Sequence, residues 1–210
     1  MEPRLCEHCG EALPKRARRN ARFCDVTCRV AAHRARKAVD RPVFPRELTG
    51  RRRWVRRTAA KVPLTPSGRA ASSTDPETWS SYAEACASRA GAGLGYVLAD
   101  GDDIVCVDLD HCLDARGQLA EWAADVLRLL PASFTEVSPS GTGLHVWLRS
   151  PSRPGRRVRG AGGFAVEVYA HGRYIAVTGK RWAGTPLVLA EVGPYVLDAL
   201  LDREGQMSVR

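Results

Sequence analysis

Seven consecutive residues, Ile104-Val105-Cys106-Val107-Asp108-Leu109-Asp110, constrain this chain more than any other stretch. Apolar and β-branched side chains dominate them, so the segment reads as a β-strand, with Val105, Val107 and Leu109 on one face. Cys106, Asp108 and Asp110 share the other face, the two carboxylates about 7 Å apart at their Cα atoms, two strand rises. Like charges held that close repel, and a divalent cation is one reason to put them together. The plainer reading is a strand that runs out into an acidic turn, because Asp is frequent where strands end. D-x-D alone does not decide between the two.

The rest of the chain supplies a setting for that strand. Its 210 residues, 44% of them hydrophobic, suffice for one substantial domain with a packed core and a small appendage. No run approaches the ~20 apolar residues of a membrane span, and no signal-peptide core opens the sequence. A cytoplasmic protein with no membrane partner is expected. Charge is unevenly spread: residues 1–69 carry 19 Lys/Arg against 6 Asp/Glu, and residues 70–210 carry 13 against 17. A basic front on a mildly acidic body points to a polyanion bound by the front. Seven cysteines, an odd number, argue against a disulfide framework.

Four of those cysteines form a C-x2-C…C-x3-C pattern: Cys6, Cys9, Cys24 and Cys28. At this spacing four thiolates can surround one structural Zn²⁺, and Gly10 lets the backbone turn around it. A short Ala/Arg helix over 29–37 follows the second pair, an arrangement that resembles a treble-clef-like zinc finger. So small a segment has almost no core, and the metal would supply most of its folding energy. Arg16, Arg18 and Arg19, then Arg34 and Arg36, surround it at a density suited to phosphate contacts on nucleic acid. Residues 39–50, with Pro42, Pro45 and Gly50, read as a linker. In Arg51-Arg52-Arg53-Trp54-Val55-Arg56-Arg57, Trp54 either stacks on a base or opens a strand of the main sheet. The strand is preferred, with Arg52 and Arg53 at its rim as nucleic-acid contacts.

Further along, Asp75 and Pro76 start a helix that carries Trp79, Tyr82, Ala83 and Cys86 on one face and ends at Gly91. Leu94–Leu98 is a strand, Asp100-Gly101 a turn, and the D-x-D strand is expected to return as the second arm of a hairpin. A helix over 118–130 follows, with Trp122, Val126 and Leu130 inward. The loop Pro139-Ser140-Gly141-Thr142-Gly143 offers N–H groups and hydroxyls suited to a phosphate, and leads into Leu144-His145-Val146-Trp147-Leu148. A lone histidine on a strand is usually structural. His145 opens its strand directly after that loop, which favours function. Arg156 and Arg157, also expected to contact nucleic acid, fall in a Gly/Arg/Pro-rich segment, 151–163, read as a mobile surface loop near the substrate. Strands are expected over 164–169, with Glu167 on the face opposite its apolar neighbours, and over 173–180. A closing helix is expected over 191–201.

Taken together, Val107-Asp108-Leu109-Asp110-His111-Cys112, then Ser138 to His145, then Val166-Glu167-Val168-Tyr169 with Gly172-Arg173-Tyr174 and Thr178-Gly179, resemble the archaeo-eukaryotic primase superfamily. More narrowly they are similar to the bifunctional primase-polymerase domains of phages and mobile elements. The family's acidic pair, histidine motif and further acid correspond in order to Asp108/Asp110, His145 and Glu167, across roughly residues 50–190.

The resemblance implies an α+β fold with an RRM-like, mostly antiparallel sheet core and flanking helices over 51–205. The zinc-finger-like module, 1–38, stands outside it. It implies a template-dependent DNA primase-polymerase that works by two-metal nucleotidyl transfer in replication of a phage, plasmid or integrated element. Asp108, Asp110 and Glu167 would hold Mg²⁺ or Mn²⁺. Ser140, His145, Arg173 and Lys180 would contact the phosphates of an incoming dNTP or NTP. Single-stranded DNA is the implied template, and a separately encoded helicase or replication initiator a further partner. Two other functions share these features. One is a non-catalytic zinc-finger replication accessory, against which the full set of acids and the histidine argues. The other is a metal-dependent nuclease, although a histidine beside a phosphate-suited loop fits a triphosphate better than a scissile strand.

Overall fold

A computed structural model describes residues 3–39, 43–151, 156–159, 165–182 and 184–201; of these, 33–39, 156–159 and 201 are described by backbone alone. The chain divides into two compact units, Met1–Pro42 and Val43–Arg210.

In the smaller unit, tight turns rather than a core organise the backbone. Cys6 N–H donates to Glu11 O, Gly10 N–H donates to Cys6 O, and Leu5 bridges Ala12. Gly10 takes a φ of +76°, a conformation that favours glycine. Helix α1 (Val26–Val39) begins between the second pair of cysteines, and Asp25 caps it by accepting the Cys28 N–H at 2.7 Å. An exposed ion pair joins Arg22 to Glu7.

The larger unit is built on two sheets. In the first, β1 (Trp54–Arg57) pairs with β2 (Pro63–Leu64) and with β3 (Gly93–Leu98), which pairs in turn with β9 (Arg173–Val177), all antiparallel. In the second, β4 (Ile104–Asp110) lies between β6 (Leu144–Arg149) and β8 (Ala165–Tyr169). Outside them, β5 (Thr135–Val137) and β7 (Arg156–Arg159) pair antiparallel with β6 and β8, and β10 (Ala190–Glu191) pairs parallel with β6. The α+β class with mostly antiparallel sheets is therefore observed.

Alternation along the strands makes two cores. Val105, Val107 and Leu109 of β4, with Leu144, Val146 and Leu148 of β6, pack with Ala123 and Val126 of α4 (Glu121–Leu129) and Leu197 and Leu200 of α5 (Pro194–Leu201). The opposite face of the same strands is also core: Ile104, Cys106 and Trp147 join Trp54, Tyr96, Leu98, Ile175 and Val177 of the first sheet. Trp54 is fully buried and its Nε1–H donates to Leu48 O, so the tryptophan is a core residue of β1. The segment read as a linker contributes Phe44 and Leu48, the latter in the short helix α2 (Arg46–Thr49), to this core.

Several local expectations are corrected. β3 and β4 do not form a hairpin, because both edges of each strand are taken by other partners in separate sheets. The residues between them are drawn elsewhere: Asp102 pairs with Arg51 and Arg53, and Asp103 with Arg51 and Arg149. The helix expected from Pro76 breaks after one 3-10 turn, Pro76–Thr78, because Ser80 exchanges both backbone hydrogen bonds with Trp54. A second helix, α3 (Tyr82–Ala87), then restarts with a Ser81/Glu84 capping box. In the arginine-rich segment read as a loop, 156–159 form β7, whose backbone completes the sheet beside β8. The rest of 152–164 lies outside the described residues. The strand expected to reach residue 180 stops at Val177, because the next N–H groups turn to Glu136.

Candidate active site

Register brings the acids and the histidine into one line across the second sheet. Glu136 of β5 stands opposite His145 of β6, His145 opposite Asp108 of β4, and Asp108 opposite Glu167 of β8. Directly opposed residues of antiparallel strands project to the same face with Cβ atoms about 5 Å apart. Strand pairing alone thus assembles an acid–imidazole–acid–acid row. Asp110 lies two residues further along β4, on the same face as Asp108. The fifth position of the row, beside Glu167 on β7, belongs to Arg157.

Glu136 is fully buried, a costly place for a carboxylate unless it is well ligated. Its Oε2 accepts the N–H of Thr178 at 2.9 Å, the N–H of Gly179 at 2.7 Å and the Thr178 hydroxyl at 3.3 Å. Its Oε1 lies 3.3 Å from both His145 Nδ1 and Trp147 Nε1. His145 is 4% exposed, and its Nε2 lies 3.7 Å from Asp108 Oδ1. Burial pulls the imidazole pKa down, but the hydrogen bond to Glu136 and the charges of Asp108 and Glu136 outweigh it and raise it. Asp108 moves the other way from most paired carboxylates. Burial, helped by the charges of Asp110 and Glu167 and opposed by His145 and Lys61, pushes it up to about 6.

A cleft of about 190 Å³ opens onto Asp108 and His145, and Lys61, Pro139, Tyr169, Arg173 and Tyr174 also line it. Lys61, on the β1–β2 turn, has a φ of 60°, which a lysine rarely adopts. The Tyr174 hydroxyl donates to the Lys61 carbonyl and ties that turn to β9. Arg173 lies over the Tyr169 ring at 5.4 Å. Neither Lys61 nor Arg173 forms an ion pair among the described residues, so two cations line the cleft together with Asp108 and His145. The Ser/Gly loop before β6 closes onto β4: a Cβ at Gly143 would sit 2.9 Å from Leu109 O and from Ser138 Oγ.

These residues fit divalent cations by chemistry more than by a closed cage. Asp108 Oδ1 is buried and accepts no hydrogen bond among the described residues, while like charges crowd it. A cation would answer both conditions. The acids nevertheless form an open row. Among the described residues, only Cys6, Cys9, Cys24 and Cys28 bring at least three ligand atoms within 4.8 Å of one another. Cys9 and Cys24 sulfurs are 3.7 Å apart and those of Cys24 and Cys28 3.4 Å. Zn–S bonds of about 2.3 Å in a tetrahedron would put sulfurs about 3.8 Å apart. The cluster fits zinc. The Cys9 and His8 N–H groups help lower the Cys6 thiol to about 6, the Cys9 group most, whereas the hydrogen bond with Cys24, and burial, push Cys28 up.

Other residues singled out from sequence sit elsewhere. Ser140 is exposed and within hydrogen-bond reach of the Ser138 and Thr142 hydroxyls, at 2.9 and 3.1 Å, in the loop beside the cleft. Lys180 is exposed and does not line the cleft; its N–H donates to Thr178 Oγ1. Arg52 pairs with Glu84, and Arg53 pairs with Asp102 while lying 4.9 Å over the Trp79 ring, so both charges are matched within the chain. Arg16, Arg18 and Arg19 are exposed, with no side-chain ion pair among the described residues. The side chains of Arg34, Arg36, Arg156 and Arg157 lie outside the described residues; their backbones belong to α1 and β7.

Sequence reasoning missed Glu136 and Lys61. Glu136 occupies an otherwise apolar strand position, Thr135-Glu136-Val137, and that break in pattern was a usable signal. Lys61 left none, because only folding brings its turn to the cleft.

A family model described as bifunctional DNA primase/polymerase, N-terminal, matches residues 31–194 and so includes every residue of the row. A DNA primase-polymerase of Nitratiruptor phage NrS-1 is 42% identical over 138 residues, which are 62% of this chain and 19% of the phage protein. The chain thus spans less than a fifth of that relative's length.

Proposed function

The chain belongs to the bifunctional DNA primase/polymerase family, and on that premise we propose that it is a template-dependent nucleotidyltransferase whose catalytic residues are Asp108, Asp110, His145 and Glu167. The observation that carries this reading is the cross-strand row, which sets Asp108, with a buried oxygen that accepts no hydrogen bond among the described residues, beside two further acids and in a cleft that Lys61 and Arg173 also line.

In this reading the three acids hold Mg²⁺ or Mn²⁺. Bound there, such ions neutralise phosphate charge and make a 3′-hydroxyl a better nucleophile. The chain's own groups do the remaining work. His145, protonated on both ring nitrogens when a phosphate is bound, donates Nδ1–H to Glu136 and Nε2–H to a phosphate oxygen of the incoming nucleotide. Lys61 and Arg173, which line the same cleft, supply the positive charge that a triphosphate needs. The exposed Arg16, Arg18 and Arg19 of the zinc-type unit contact template phosphates. Single-stranded DNA and nucleoside triphosphates are the substrates, in replication of a phage, plasmid or integrated element. A helicase or replication initiator is the partner that exposes the template.

The test is synthesis from primer-free single-stranded DNA and labelled nucleotides with Mg²⁺ or Mn²⁺. A labelled, metal-dependent product is expected. Absence of synthesis on both primed and unprimed templates, in either metal, would overturn the reading.

A further inference from the structure

We propose that Glu136 is a positioning residue that fixes His145 as its Nδ1–H tautomer and so aims Nε2 into the cleft. The placement rests on geometry alone.

The two oxygens of Glu136 face different sets of donors. Oε2 holds three groups from β9's end, two of them backbone N–H at 2.7 and 2.9 Å. This half joins the first sheet to the second and would serve folding in any protein. Oε1 faces two side chains, Trp147 Nε1 and His145 Nδ1. An indole N–H can only donate, and a carboxylate can only accept, so that the imidazole nitrogen facing the same oxygen must carry its proton. The other ring nitrogen is then the one left for the cleft and for Asp108, 3.7 Å away. His145 is buried at 4% exposure, and its ring has no second hydrogen-bond partner among the described residues that could hold it in another tautomer.

Glu136→Gln separates the two halves. A side-chain amide has one accepting and one donating end. Its oxygen belongs with the three donors from Thr178 and Gly179, since an NH₂ there would face two backbone N–H groups. The NH₂ then faces His145 Nδ1, which can meet it only as an acceptor, and the Trp147 Nε1–H, which loses its acceptor. The sheet junction survives and the tautomer inverts.

The experiment is ¹⁵N NMR of histidine-labelled full-length protein at a pH where the imidazole is neutral. Wild-type His145 should be protonated on Nδ1 and the Glu136→Gln variant on Nε2. A wild-type His145 protonated on Nε2 overturns the proposal without need of any variant. So does a folded Glu136→Gln protein that keeps Nδ1–H.

Discussion

His145 stands directly opposite Asp108 in the antiparallel pairing of β6 with β4, with Nε2 3.7 Å from Asp108 Oδ1. This contact joins the two ends of the proposed chemistry, a group for the nucleotide's phosphates and a carboxylate for metal. His145→Ala should therefore raise the apparent KM for nucleotide by more than it weakens template binding. If DNA affinity alone changed, the histidine would belong to the template path. Filter binding and steady-state kinetics separate the two.

Asp108 should destabilise the metal-free fold. Its pKa rises from 3.8 unfolded to about 6 folded, so the penalty is absent below about pH 4, grows through the interval and is complete above about pH 6. Two units correspond to roughly 3 kcal/mol. Asp108→Asn should accordingly raise Tm at pH 7.5 and leave it unchanged near pH 3.5. Mn²⁺ should raise the Tm of the wild type more than that of the variant. A lower Tm for the variant at pH 7.5 would contradict the like-charge crowding.

Lys61 and Tyr174 should act together. The left-handed φ of Lys61 is a conformation that costs of order 1 kcal/mol and persists only where surroundings hold it, here the Tyr174 hydroxyl on its carbonyl. Tyr174→Phe should raise nucleotide KM, as should Lys61→Ala, and the double variant should be no worse than Lys61→Ala alone. Additive effects would mean that Tyr174 acts on nucleotide independently of Lys61.

The cysteine cluster should matter for template and not for chemistry. Cys6→Ser with Cys9→Ser, or removal of zinc by a chelator, should lower DNA affinity and flatten its dependence on salt, because phosphate contacts by Arg16, Arg18 and Arg19 are lost. Primer-free initiation should suffer, and extension of a preformed primer at saturating DNA should survive. Unchanged DNA affinity in both preparations would assign this unit another task, such as a protein contact.

Much of the site was legible because strand periodicity is a local property. Ile104–Asp110 and Leu144–Leu148 announced their faces, and Asp108, Asp110 and His145 could be placed on them without knowing the fold. The cysteine spacing was equally local. What stayed hidden depended on which strands meet. A β3–β4 hairpin is the economical guess for neighbouring strands, yet Arg51, Arg53 and Arg149 pull Asp102 and Asp103 into a junction between sheets. The arginine run 51–53 looked like a nucleic-acid contact because its acidic partners, Glu84, Asp102 and Asp103, lie 32 to 52 residues away. Glu136 needed β9 as well as β6 before its five donors could be seen.

The most direct test of the account is nucleotide incorporation on a primed template by Asp108→Ala, Asp110→Ala and Glu167→Ala, each checked for a native circular dichroism spectrum and for intact DNA binding. All three should lose nearly all incorporation, and any pair combined should be no worse than one alone, since a site that has lost its metal cannot be disabled twice. A folded, DNA-binding Asp108→Ala protein that incorporates nucleotide at the wild-type rate would contradict the assignment of the acidic row to catalysis.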